Sequence, residues 1–415
     1  MTLTNWAGNV TFAPEQFEQP EDIDHLRQLV AEAGRVRVLG TGHSFSTVAA
    51  TDGLMLSLAR LPRTIHLDAA AGTVRVSAGA RYGDIAGPLN AAGLALHNTG
   101  SLPHISVAGA CATGTHGSGS TNGNLATAVV EVEFIGADGT LHTLRKGHPD
   151  FPGCVVALGL CGVVTALTLR TRPSYQIRQY VYDNLPLDAL TGDFDAVMDS
   201  AYSVSAFTRW REPVVESLWR KQLADAPAPP QEWMGARLAD EPRHPIAGMP
   251  ADFATEQLGE PGPWYRRLPH FRLDFTPSSG EEIQTEYLLP REHATTALKA
   301  LHSVRASIAP ALQVCEIRTI AADDLWLSPA YQRPSVGLHF TWTDDADAAS
   351  AAVAVVEQAL SGLDPRPHWG KLFSMSPEHV RRSYPRLADF EALTGRVDPA
   401  GKFTNAFTDR YFRAG

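Results

Sequence analysis

The segment RVRVLGTGHSFS, Arg35–Ser46, decides how this chain folds. Valine alternates with arginine over Arg35–Leu39, which predicts a short strand, and the strand stops at Gly40-Thr41-Gly42-His43-Ser44, a bend that β-carbons would obstruct. Ahead of it, Glu21–Glu32 has helical periodicity. A second segment, SVAGACATGTHGSGS at Ser106–Ser120, concentrates the same small and hydroxyl residues. Backbone N–H groups without side chains in the way can surround a pyrophosphate, so both loops read as anion cradles.

Familiar phosphate and nucleophile motifs do not account for them. Gly40-Thr41-Gly42 lacks the third glycine of a dinucleotide fingerprint and runs into His43-Ser44-Phe45-Ser46 rather than an apolar helix start. There is no Walker loop, no G-x-S-x-G elbow and no H-E-x-x-H, so no metal site is expected. A dinucleotide held in another way remains.

Outward from these loops, Thr73–Ser77 alternates cleanly and Tyr82–Ala92 reads as a helix with a weak point at Gly87-Pro88. Val129–Ile135 and Leu141–Leu144 flank Asp138-Gly139, a hairpin signal. From about Tyr175 the texture changes. Long loops at Ala224–Trp233 and Pro242–Gly262 separate strand-like runs at His270–Thr276 and Gln284–Leu289, which marks a second domain. The last forty residues return to glycine turns around Gly401–Asn405 and are expected to pack back onto the rest. The class is α+β.

The chain has 415 residues with 44% hydrophobic positions, an ordinary globular composition. Its formal charge of −10 argues against nucleic-acid binding, which rests on clustered cations. Cys111, Cys154, Cys161 and Cys315 show no C-x-x-C spacing and read as buried free thiols. With no secretory signal in MTLTNWAGNV, a cytoplasmic setting is expected. The most apolar run, Cys154–Leu169, is shorter than the roughly 20 residues a bilayer requires, so no membrane role is expected.

NWAGN (Asn5–Asn9), VLGTGHSF (Val38–Phe45), SLPHISVAGACATGTHGSG (Ser101–Gly119), CEIRT (Cys315–Thr319), HFTW (His339–Trp342), HWGK (His368–Lys371) and GKFTNAF (Gly401–Phe407) together give the chain a resemblance to the alditol (xylitol) oxidases of the vanillyl-alcohol-oxidase-type covalent flavoprotein family. The resemblance implies a two-domain FAD-binding (VAO/PCMH-type) fold. Residues 1–174 and 374–415 would bind FAD, and 175–373 would form a substrate-binding cap on an antiparallel sheet. It implies FAD contacts from Gly40, Thr41, Gly42, His43, Ser44, Ser101, Ser106, Gly109, Thr113, Gly114, His116, Gly117, Gly162, Val163 and Asn405. His43 would carry the flavin covalently at its 8α-methyl group. His104 and His116 lie in the same kind of loop and are rival attachment points.

Strand geometry makes the second domain informative on its own. Period-two alternation puts Glu316 and Arg318 on one face of Val314–Arg318, and His339 and Thr341 on one face of Val336–Trp342. Of only five lysines, Lys371 closes the turn His368-Trp369-Gly370-Lys371. If Glu316, Arg318, His339, Thr341 and Lys371 converge, they offer donors and acceptors dense enough for an uncharged polyol.

By similarity, Arg318 and Lys371 lie near the reacting hydroxyl and the flavin edge, Glu316 orients Arg318 and binds a hydroxyl, and Ser101 and Thr341 bond the hydroxyl chain. His339 is the proton acceptor by intrinsic pKa, with a deprotonated Lys371 as the alternative. The implied reaction takes the terminal hydroxyl of xylitol or sorbitol to the aldose by hydride transfer to flavin N5. O₂ is reduced to hydrogen peroxide, with Gly100 leaving its approach open. A sugar-1,4-lactone oxidase is the close alternative, followed by a dehydrogenase with another acceptor and a flavin carrier without catalysis. The oligomeric state is left open, a monomer being compatible with the sequence.

Overall fold

The computed structural model describes residues 3–275 and 282–412. Near the N-terminus, β1 (Gln16–Glu18), β2 (Val36–Val38) and β3 (Leu54–Leu56) form a small parallel sheet with β3 in the centre. Helix α1 (Ile23–Glu32) crosses from β1 to β2 and buries Leu26 and Val30 against the valines and leucines of β2 and β3. Asp22 caps its first turn by accepting from the His25 N–H at 2.7 Å.

A second, antiparallel sheet has β4 (Ile65–Asp68), β5 (Thr73–Ser77), β6 (Val129–Ile135), β7 (Leu141–Arg145) and β8 (Val163–Arg170) in the order β7-β6-β8-β5-β4. The expected hairpin is present as β6–β7, and Gly139 turns it at φ +81°. Helix α2 (Tyr82–Ala91) runs through Gly87-Pro88 without interruption, because Tyr82, Ile85, Ala86 and Leu89 bury a continuous stripe that outweighs the missing N–H.

The largest sheet is antiparallel. It contains β9 (Gln176–Pro186), β10 (Ser203–Thr208), β11 (Val214–Leu223), β12 (Glu232–Trp233), β13 (Ala236–Leu238), β14 (Ile283–Pro290), β15 (Leu312–Ile320), β16 (Ser335–Trp342) and β17 (Arg366–Pro367), in the order β12-β13-β9-β11-β10-β15-β16-β14-β17. One face is covered by the helices Ala294–Ser303 and Ala346–Leu360, whose Leu298, Leu301, Val353 and Val356 share a core with Ile317, Leu338, Phe340 and Trp342.

Over its described residues, 270–275, the strand-like run is not a strand. Both amides of His270 and Phe271 donate to the Ser101 carbonyl, at 3.1 and 3.3 Å, so they are not free for a ladder; Phe271 makes only an isolated bridge with Ala254, and Thr276 lies outside the described residues.

The chain's end is tied back to its beginning. Val36 N–H donates to Lys402 O, the buried Arg37 guanidinium donates to the carbonyls of Phe403, Val48 and Leu158, and Asn405 Nδ2 donates to Thr47, Val48 and Ala50. Lys402 Nζ donates to Val30 O and Ala31 O at the end of α1 and to Ala137 O in the β6–β7 turn. Lys402→Met leaves three carbonyls without this donor, and is expected to cost about 2–3 kcal/mol, read as a fall of several degrees in the thermal midpoint. An unchanged midpoint would show that water replaces the ammonium. The four cysteines are free and buried, as their spacing suggested, and among the described residues no helix is long and apolar enough to cross a membrane.

Candidate active site

The two glycine loops close against each other. Ser106 N–H donates to Thr41 Oγ1 at 3.2 Å, and a β-carbon on Gly40 or Gly109 would lie 2.8 or 2.7 Å from Ser106 Oγ, so either would displace that hydroxyl from between the loops. From the other side the N-terminal segment clasps the first loop: Trp6 N–H donates to Gly42 O, Asn5 Nδ2 to Ser44 O and Asn9 Nδ2 to Phe45 O. Trp6 stacks on His43 with ring centres 5.4 Å apart. The same loop docks on the turn 368–371, through Phe45 N–H to Gly370 O at 2.7 Å and Ser46 Oγ to Trp369 O at 2.8 Å.

Between these loops and the uncovered face of the large sheet lies a cavity of about 900 Å³. That is near the top of the ~300–1,000 Å³ range of small-molecule sites. Gly40, Thr41, Gly42, His43, Ser44, Gly100, Ser101, Ser106, Gly109, Thr113, His116, Gly162 and Val163 line it from the first half, and Glu316, Arg318, His339, Thr341 and Lys371 from the second. Three expected positions lie outside this lining. Gly114 packs at φ +70° against Pro329, Gly117 is where a β-carbon would collide with Thr99 O, and Asn405 is used up by the three carbonyls above.

Strand register explains the polar wall. His339 on β16 pairs with Glu316 on β15 and with Glu286 on β14, which puts the three side chains in one cross-strand row. Arg318 pairs with Gly337, and its guanidinium reaches Glu286 at 2.6 Å; a β-carbon on Gly337 would press on Ile320 and His116 and lie 3.5 Å from Glu286 Oε1. His116 Nε2 lies 3.1 Å from the same Glu286 oxygen, while its Nδ1 faces Gly117 O at 2.8 Å. Burial opposes ionisation of Glu286, but Arg318, His116 and His339 outweigh it and hold the carboxyl well below its usual range. The same balance, struck with Arg318 and His270, keeps Glu316 ionised.

His339 Nδ1 sits 3.3 Å from Glu286 Oε2, so the protonated Nδ1 donates there and Nε2 is left as a lone-pair acceptor, 3.5 Å from Thr341 Oγ1. Burial lowers the pKa of His339 and Glu286 partly offsets that. Lys371 Nζ donates to Gln284 Oε1 and stands 4.8 Å above the Phe45 ring. Burial brings it down to about 8 against the pull of Glu286 and Glu282. His43 Nδ1 is buried without a hydrogen-bond partner, and burial followed by the charges of Lys371 and His104 holds the ring near 4, neutral at ordinary pH.

Glu286, Gln284, Glu282 and His270 also line the cavity and were not singled out from the sequence. Alternation along Gln284–Leu289 would have put Gln284 and Glu286 on one face; His270 carried no such signal, since it stands in a loop.

Residues 14–145 match the FAD binding domain family and residues 279–411 the D-arabinono-1,4-lactone oxidase family. The chain is 50% identical over 408 residues to an alditol oxidase of Streptomyces sp. (strain IKD472 / FERM P-14339), covering 98% of this chain and 97% of that protein. It is 28% identical over 429 residues to an L-gulono-1,4-lactone dehydrogenase of Mycobacterium tuberculosis (strain ATCC 25618 / H37Rv), covering 98% of each, and 26% identical over 440 residues to an L-gulonolactone oxidase of Bos taurus, covering 98% of this chain and 97% of that protein. A solved structure of a solvent-stable cholesterol oxidase shares the fold, with a TM-score of 0.80 at 16% identity over 99% of this chain and 97% of that one.

Proposed function

Because the chain belongs to the alditol oxidase family of FAD-dependent oxidoreductases, we propose that it oxidises the terminal hydroxyl of alditols such as xylitol and sorbitol to the aldose, with O₂ reduced to hydrogen peroxide. The observation that carries this reading is one cavity walled on one side by glycine-rich loops and on the other by Glu286, Glu316, Arg318, His339, Thr341 and Lys371. The residues present fit FAD: a glycine cradle a β-carbon would fill, and an unpaired, neutral imidazole nitrogen on His43 that supports covalent attachment there. We assign residues 1–174 and 374–415 to FAD binding and 175–373 to the cap. The free cysteines support a cytoplasmic enzyme.

FAD, when bound, supplies the hydride acceptor and hands the electrons to O₂. The chain's own side chains do the rest. His339 Nε2 takes the hydroxyl proton, with its tautomer set by Glu286. Lys371 and Arg318 place positive charge where the alkoxide develops. Thr341, Glu316 and Ser101 bind the remaining hydroxyls and so choose which carbon is presented. Gly100 lines the cavity without a side chain, and we assign to it the approach of O₂.

The pH profile tests these roles. The base must be unprotonated, so activity rises with pH through the lowered pKa of His339; the cation must be charged, so activity falls again as pH passes about 8, where Lys371 loses its proton. A rate that keeps climbing well above that point would make the amine of Lys371 the base. The match of residues 279–411 to the lactone oxidase family keeps one alternative alive, oxidation of an aldonolactone. Turnover of xylitol against L-gulono-1,4-lactone under air, with peroxide measured, separates them. Preference for the lactone overturns the alditol reading.

A further inference from the structure

Behind the polar wall lies a buried cation that the chemistry above does not use. Lys221, near the end of β11, is 1% exposed. Its Nζ contacts Leu268 O, Pro269 O at 3.1 Å and His270 Nδ1 at 3.0 Å. His270 Nε2 in turn lies 2.8 Å from Glu316 Oε1. The imidazole is held edge-on between Phe207 and Trp219, with ring centres 5.5 and 5.3 Å away, which fixes its orientation.

Counting protons determines the tautomer. Two of the three partners of Nζ are carbonyls, which only accept. An ammonium has three protons and donates to all three partners. Then His270 Nδ1 is the unprotonated nitrogen, and Nε2 carries the hydrogen aimed at Glu316. An uncharged amine has two protons, both taken by the carbonyls, and its lone pair would face Nδ1. The ring would then have to carry its hydrogen on Nδ1, leaving the Nε2 lone pair 2.8 Å from a carboxylate.

We infer that Lys221 and His270 are positioning residues for substrate recognition: Lys221 fixes His270 in its Nε2–H form, which occupies Glu316 Oε1 and leaves Oε2 as a pure acceptor for one hydroxyl of the substrate. This rests on the polyol reading of the site. The groups facing Glu316 are Arg318 on its own strand, with Nε 3.7 Å away, His339 across on β16, His270 from the loop and Lys221 behind it. Lys221 faces the same Glu316, Arg318 and His270. Burial draws its ammonium down to about 7, with Glu316 opposing the fall and Arg318 adding to it. The hydrogen-bond direction along this chain therefore reverses within an accessible pH range.

Two measurements on the yellow holoenzyme test this. The first is ¹⁵N-histidine NMR, with His270 assigned by its loss in His270→Gln. Nε2–H is expected below the titration of Lys221, giving way to Nδ1–H above it; Nδ1–H throughout overturns the inference, and needs no substrate to do so. The second compares kcat/KM for xylitol with that for each monodeoxy pentitol. In the wild type, loss of the hydroxyl that Glu316 binds should cost about 10- to 100-fold. In His270→Phe, which keeps the packing against Phe207 and Trp219, that penalty should shrink to within about 3-fold. His270→Gln, which can place a donor near the former Nε2, should restore most of it. Equal penalties in all three proteins would mean that His270 only packs, and would overturn the inference. If the wild type does not oxidise xylitol, the polyol reading fails, and the tautomer measurement alone decides the positioning role.

Discussion

Lys371→Met should lower kcat about 10³-fold while the protein stays folded and yellow. Methionine keeps most of the stem's length and apolar volume, so contact with the Phe45 ring survives and the main loss is the charge. That charge is held in place by Gln284 and partly withdrawn from water, where one cation acts on a developing alkoxide far more strongly than it would in solvent. Lys371→Arg keeps the charge but not its position, and should recover only part of the rate. Anaerobic mixing with xylitol, followed by bleaching of the flavin absorbance, isolates the step. A loss smaller than about 10-fold would place the stabilising charge on Arg318 instead.

The second large effect concerns colour. Acid-precipitated wild-type protein is expected to keep its yellow pigment in the pellet, and His43→Ala to release it into the supernatant. The geometry favours this nitrogen over its rivals. His43 Nδ1 has no partner, and its ring stays neutral because burial, Lys371 and His104 all oppose protonation. His116 has one nitrogen on Gly117 O and the other 3.1 Å from the Glu286 carboxylate, and His104, whose Nδ1 is likewise without a partner, does not line the cavity. Pigment retained in the His43→Ala pellet would move the attachment to one of these. Absorbance of the two fractions decides it without any turnover assay.

How much of this was legible in advance varies from residue to residue. Alternation along Val314–Arg318 and Val336–Trp342 placed Glu316 with Arg318 and His339 with Thr341 correctly, because a strand's side chains must alternate wherever the strand lies. Glu286 obeys the same rule, yet its importance depends on register. Only when β14 is set beside β16 does it fall in the row of Glu316 and His339, and one sequence does not contain that offset. Lys221 and His270 were hidden for a different reason: their contact joins a strand to a loop 49 positions away, and no local pattern reports it. The described residues of the misread run, 270–275, belong to the same loop, where the amides of His270 and Phe271 are taken by Ser101. The helix read over Tyr82–Ala92 is present as Tyr82–Ala91, and its weak point at Gly87-Pro88 holds because propensity yields to a buried stripe.

The pairing of Val36 with Lys402, and of Arg37 with Phe403, has a consequence for how the enzyme is made. Phe403 forms part of the cavity wall, so a nascent chain that has already emerged through both glycine loops and the whole of the large sheet still lacks a side of the pocket. Synthesis must pass residue 403 before that wall exists. Stable pigment capture is therefore expected only once residue 403 has been made, and a chain cut short ahead of it would be released pale.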